Sequence, residues 1–128
     1  MKGVFAAGNL LRGVATADHC ALEGGRAAES IAGYLRSGQW RETSLPIEIT
    51  SPLLWVCPNI VCPSERTNRF LFRSDQFRQA AHLQVEQQGQ LLHSQKIRNV
   101  VVNEIMCFSD DWVRKVDWSG GKINLVLV

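Results

Sequence analysis

Apolar residues follow two different periods along this chain, and the change comes near residue 40. The first stretch opens on Gly3-Val4-Phe5-Ala6-Ala7 and then Gly8-Asn9. A short apolar run closed by glycine predicts a buried strand ending in a turn. A helix is expected from about residue 16 to residue 35. Cys20, Gly24, Ala27, Ala28, Ile31 and Leu35 recur at spacings of three and four, which marks one helical face. Thr16 suits the N-cap, Asp18 the positive end of the helix dipole, and Gly38 the stop. The pair Gly24-Gly25 is unusual, because each glycine costs a helix about 1 kcal/mol relative to alanine. Glycine there implies a backbone passing close by, and residues 1–128 offer no clear candidate for it.

Beyond residue 45 the period shortens to two. Ile47 and Ile49 flank Glu48, and Ala81, Leu83 and Val85 alternate with His82, Gln84 and Glu86. Short apolar runs at Leu53–Cys57 and residues 69–73 read as further strands. Gln88-Gly89 turns the chain into Leu91-Leu92. Strands are also expected at residues 100–102, 105–108, 112–116 and 123–128, with Ser119-Gly120-Gly121 as a hairpin turn before the last. Asp110-Asp111 reads as a turn leading into the strand at Trp112, not as a carboxylate dyad. Seven or eight short strands in this span predict an antiparallel β-sandwich. The expected fold is therefore mainly β (α+β), divided as 1–38 strand and helix, 39–45 linker and 46–128 sandwich.

Composition narrows the function classes. Fourteen Lys and Arg against twelve Asp and Glu leave a formal charge of +2, so nothing electrostatic favours nucleic acid. No apolar run approaches the roughly 20 residues that span a bilayer, so no membrane is expected. Lys2, the apolar residues 3–11 and Ala15-Thr16-Ala17 have the outline of a secretory signal, but Asn9, Arg12 and Gly13 interrupt it. Cytoplasmic location is the expectation. Four cysteines in 128 residues, Cys20, Cys57, Cys62 and Cys107, are too few for a disulfide scaffold.

The strings Gly3-Val4-Phe5-Ala6-Ala7-Gly8-Asn9 and Ala21-Leu22-Glu23-Gly24-Gly25-Arg26-Ala27-Ala28 carry a resemblance. Together they are similar to the last flavin-binding motif of the FAD-dependent pyridine nucleotide-disulphide oxidoreductases. In that family a strand reading "GVFAxGD" is followed by a long helix with an E-G pair and paired alanines. The resemblance covers about a quarter of the chain and implies a flavoprotein oxidoreductase. It implies that Gly8 and Asn9 touch the ribityl chain of FAD, and that Thr16 and Ala17 approach the ring at the helix N-terminus. There the dipole would stabilise charge on the reduced flavin. Asn9 stands where the family carries an acid, and an amide both accepts and donates.

The dinucleotide fingerprint G-x-G-x-x-G is absent, and no acidic residue is placed to hold a ribose. The resemblance therefore implies the C-terminal segment of such an enzyme, catalytically incomplete alone. FAD would be held only with FAD-binding and NAD(P)-binding domains of a partner, and no cofactor is expected in the isolated chain. A helix face built for an absent neighbour also predicts a homo-oligomer through the N-terminal helix.

Other candidates carry blander readings. Cys57-Pro58-Asn59-Ile60-Val61-Cys62 has the spacing of a redox disulphide in some relatives, but stands among strands, where two core or edge thiols are expected. Cys20, Cys107, His82 and His93 show no paired metal-ligand spacing, so no metal site is expected. His19 reads as a residue beside the helix cap. Arg66, Arg69, Arg73 and Arg78, near Glu65 and Asp75, read as a solvated strand face. Trp55, Trp112 and Trp118 read as core or rim. Two alternative functions remain open: a stand-alone β-sandwich interaction module, and a secreted binding domain whose mature chain would start at Asp18.

Overall fold

Alternation along the second half of the chain builds two sheets around one core. The computed structural model describes residues 3–13, 15–40, 43–63 and 69–128. The chain divides into two compact units, Met1–Glu42 and Thr43–Val128. The second unit holds β1 (Leu45–Ile49), β2 (Leu53–Cys57), β3 (Ile60–Val61), β4 (Arg69–Ser74), β5 (Arg78–Gln87), β6 (Gln90–Val100), β7 (Met106–Ser109) and β8 (Ile123–Leu127). One sheet has the order β3-β1-β8-β5-β6 and the other β2-β4-β7. The fold is mainly β.

Inward positions follow the two-residue period. Ala81, Leu83 and Val85 of β5 and Ile123, Leu125 and Leu127 of β8 are buried, and they meet Phe70, Phe72, Val56 and Phe108 of the smaller sheet in a single cluster. β4 is the middle strand of the smaller sheet, and it is buried from Phe70 to Ser74. Arg73, expected on a solvated face, is only 5% exposed, and its guanidinium lies 5.4 Å from the centre of the Trp55 ring. Arg78 also turns inward and donates to the Leu127 carbonyl at 3.2 Å. Arg69 and Asp75 are exposed as expected; Glu65 and Arg66 lie outside the described residues.

Several elements depart from the sequence expectation. β1 and β8 are parallel, with Ile47 opposite Ile123 and Ile49 opposite Leu125. The first and last strands of the unit need no tight turn between them, so nothing forces them antiparallel. β6 is one long strand ending at Val100, where two shorter ones were expected; Val101 and Val102 are exposed in the turn beyond it. Its register slips where Val85 faces His93 but Glu86 faces Leu91, which is a bulge at Leu92. Residues 112–116 are not a strand. Asp111–Lys115 form a 3₁₀ helix with Asp110 at its N-cap, burying Trp112. Ser119-Gly120-Gly121 therefore joins a helical turn to β8 and is not a hairpin. The Gln88-Gly89 hairpin is present, and φ is 50° and 80° at its two residues, as a type I′ turn requires.

The first unit contains α1 (Asn9–Arg12) and α2 (Ala17–Ser37). α2 ends as expected at Gly38, whose φ of 64° lets its amide reach the Tyr34 carbonyl at 2.8 Å. Residues 4–7 are not in a sheet, because no strand neighbours them among the described residues. They nevertheless keep a strand's alternation. Val4 and Ala6 are exposed, while Phe5 and Ala7 are half-buried. Phe5 packs with Tyr34 and Trp40, ring centres 6.1 and 5.5 Å away. Trp40, expected in the linker, thus belongs with the first unit.

Candidate functional site

The four residues that the sequence resemblance singles out, Gly8, Asn9, Thr16 and Ala17, lie at the N-terminal end of α2. Gly3 lies against Tyr34 and Gly8 against Cys20, each with a Cβ position 3.5 Å from the neighbouring side chain. Five steps of chain thus cover most of the fourteen helical steps from Cys20 to Tyr34. Helical residues rise about 1.5 Å each and strand residues about 3.3 Å, so residues 3–8 run extended and opposite in direction to the helix.

The turn at the end of this segment is fixed by hydrogen bonds. Gly8 is buried, with φ 68° and ψ −150°, a backbone region open essentially to glycine. Its amide donates to Glu23 Oε2 at 2.9 Å, and Glu23 is 6% exposed. Asn9 spends both ends of its amide on one residue. Its Oδ1 accepts from the Ala15 amide at 2.7 Å, and its Nδ2 donates to the Ala15 carbonyl at 3.2 Å. A carboxylate could make only the first of these bonds. The Asn9 amide thus closes the loop from residue 9 to residue 15.

Thr16 stands at the N-cap of α2, but its side chain makes no cap hydrogen bond. Its Oγ1 shares a 2.7 Å hydrogen bond with His19 Nδ1 instead. His19 is thus the cap-side residue it was expected to be. The exposed first turn of α2, at Ala17 and Asp18, keeps amides that no side-chain cap meets. Of the four motif positions, Gly8 and Asn9 already have partners within this unit. Thr16 and Ala17 mark the uncapped helix end, where backbone N–H groups favour an electron-rich group.

Gly8→Ala should be the most disruptive single change here. Its φ and ψ disfavour a Cβ, and Cys20 is already in contact. A loss of about 1–3 kcal/mol in the first unit is expected. It would be read as faster amide exchange along α2, with exchange in β5 and β8 unchanged.

Glu23 and its part in holding Gly8 were not foreseen. Its placement three residues after Cys20, on the side that meets residues 3–8, was the available signal. Cys57 ends β2 half-buried and Cys62 follows β3 buried, which fits thiols built into the sheet edges. Among the described residues, no three His, Cys, Asp or Glu gather as metal ligands would. No described helix is long and apolar enough to cross a membrane. Comparison with protein-family models, curated proteins and solved structures finds no match.

Proposed function

We propose that the first unit is the C-terminal strand and helix of an FAD site, completed by another polypeptide segment of a flavin-dependent, NAD(P)-linked oxidoreductase. One observation carries this: residues 4–7 keep strand alternation and extension under a long helix, with both strand edges unpaired in the described chain. Unpaired strand edges are costly, and proteins pair or cover them. A sheet that received this segment would bring the uncapped start of α2 to the carboxyl end of its strands, where α/β sheets hold nucleotides. The motif string Gly3 to Asn9 and the Glu23-Gly24 pair support the same reading by resemblance.

Bound FAD supplies hydride and electron transfer that no side chain here offers. The chain's own part is positional. Gly8 turns the backbone, Glu23 holds that turn, Asn9 closes the loop to Ala15, and Thr16 and Ala17 present the helix end. In a complex reconstituted from this chain and a flavin-binding partner, Asn9→Ala should lower flavin retention about tenfold, the equivalent of two lost hydrogen bonds. Flavin absorbance per mole of complex is the readout. Unchanged flavin content with the complex intact would overturn the proposal.

A second reading, an interaction module on the β unit, is favoured by one surface. The loops before β2, after β4 and after β6 are joined by Asp75 N donating to Pro52 O at 3.1 Å and Asn103 N donating to Ser74 O at 3.0 Å. That end exposes Leu54, Phe77, Val101 and Val102.

A further inference from the structure

Helix α2 has two apolar faces, and the described chain covers one of them. Cys20, Glu23 and Tyr34 contact residues 3–8. A second row, Ala17, Ala21, Gly24, Ala28, Ile31 and Leu35, advances alternately by four and three residues and is exposed throughout. Leu35 is 74% exposed, and a Cβ built on Gly24 or Gly25 meets nothing within 4 Å. The face that the sequence suggested would be buried is thus split. Cys20 and Ala27 turn inward, while Gly24, Ala28, Ile31 and Leu35 face outward. Alternating steps of four and three are the spacing of a helix–helix seam.

We propose that this row is the seam of a homodimer, in which two copies of α2 pack antiparallel about a two-fold axis at the level of residue 26. Turned end for end, the row complements itself. Ala17 meets the second copy's Leu35, Ala21 its Ile31, and Gly24 its Ala28. Small faces large in the outer layers, and small faces small at the centre, where the backbones approach. A parallel pair would instead set Leu35 on Leu35 and Gly24 on Gly24, so bulky layers would hold the glycine layers apart. Charge selects the same arrangement. The row itself is uncharged, and Asp18 and Arg36 flank one side of it in the first and last turns. Antiparallel packing brings Asp18 of each copy beside Arg36 of the other; a parallel pair places these flanking charges on opposite sides of the seam and makes no such pair. The opposed helix dipoles add to this preference. The seam lies apart from the edges of residues 4–7, so the inference does not depend on the flavin reading.

Sedimentation equilibrium of the full chain over a concentration series tests it. A dimer is expected. Ala28→Glu, at an exposed helical position, sets two carboxylates into the central layers and should raise the dimer dissociation constant about a hundredfold or more. Asp18→Arg should weaken the dimer, and Asp18→Arg with Arg36→Asp should restore it, a rescue that misfolding cannot mimic. Circular dichroism checks that helix content is kept in each variant. A monomer at every concentration overturns the proposal, as does a dimer that Ala28→Glu leaves intact. Failure of the charge exchange to rescue overturns the antiparallel register.

Discussion

Phe70→Ala is expected to cost the β unit about 3–5 kcal/mol, the largest single loss among core positions. Phe70 is fully buried in β4. Its ring centre lies 5.2 Å from Phe108 and 5.0 Å from Trp112, so it joins the smaller sheet to the 3₁₀ helix that caps the core. Truncation leaves a cavity between two elements that are tied elsewhere and cannot collapse into it. Phe70→Leu refills part of the volume and should cost less. Urea unfolding followed by tryptophan fluorescence reads both, since Trp112 reports on the same cluster. A loss below about 1 kcal/mol for Phe70→Ala would mean that the smaller sheet and the 3₁₀ helix do not share this core.

Gln87→Ala should cost about 2–4 kcal/mol, through hydrogen bonds more than through packing. Gln87 ends β5 and is 4% exposed. Its Nε2 donates to the carbonyls of Asp117 and Gly121 at 2.8 and 3.2 Å, and its Oε1 accepts from the Asp117 amide at 2.9 Å. The turn 117–121 is wrapped around this one side chain. A Cβ on Gly120 would come within 3.0 Å of Nε2. The same turn sets Asp117 Oδ1 to accept from the Ser119 hydroxyl and amide, which holds the Asp117 carboxyl below its usual range. Gln87→Glu separates the causes. It keeps the size but turns a donor into a charge facing two carbonyls, so it should destabilise as well. A neutral Gln87→Glu would show that the donor bonds contribute nothing. Amide exchange across residues 117–121 should rise in both variants.

Strands with clean alternation were legible in the sequence, and those lacking it were not. β5 and β8 bury every second residue, and the expected spans overlap the observed ones. β6 hides its period because the bulge at Leu92 shifts the pairing and polar residues fill Ser94 to Lys96. The 3₁₀ helix stands where the sequence pattern predicts a strand, although its own signal is present. Trp112 and Val116 are buried four apart, with acids before them and Arg114-Lys115 between. The parallel pairing of β1 with β8 has no local signal, because register between distant strands is set by the whole core.

The candidate site was legible in part. The turn at Gly8 and the helix stop at Gly38 show in residue type because each needs a positive φ. The partners of Asn9 and Thr16 were not legible. Asn9 closes on Ala15, six residues away, and Thr16 turns to His19 rather than capping. Such choices depend on loop geometry that a residue string does not encode. The Gly24-Gly25 pair predicts a backbone passing close by, and none is found among the described residues. A Cβ built on either glycine meets nothing within 4 Å beyond its own helix backbone.

Among the described residues of the first unit, residues 4–7 lie outside any sheet, one row of α2 is exposed, and Thr16 at the N-cap makes no side-chain cap hydrogen bond. The most direct test of the flavin reading is the absorption spectrum of the tagged chain, isolated with its bound partners from the cells that make it. A flavin band near about 450 nm, accompanied by a second, larger polypeptide, is the expected result. A colourless preparation containing this chain alone, or paired only with itself, would contradict it.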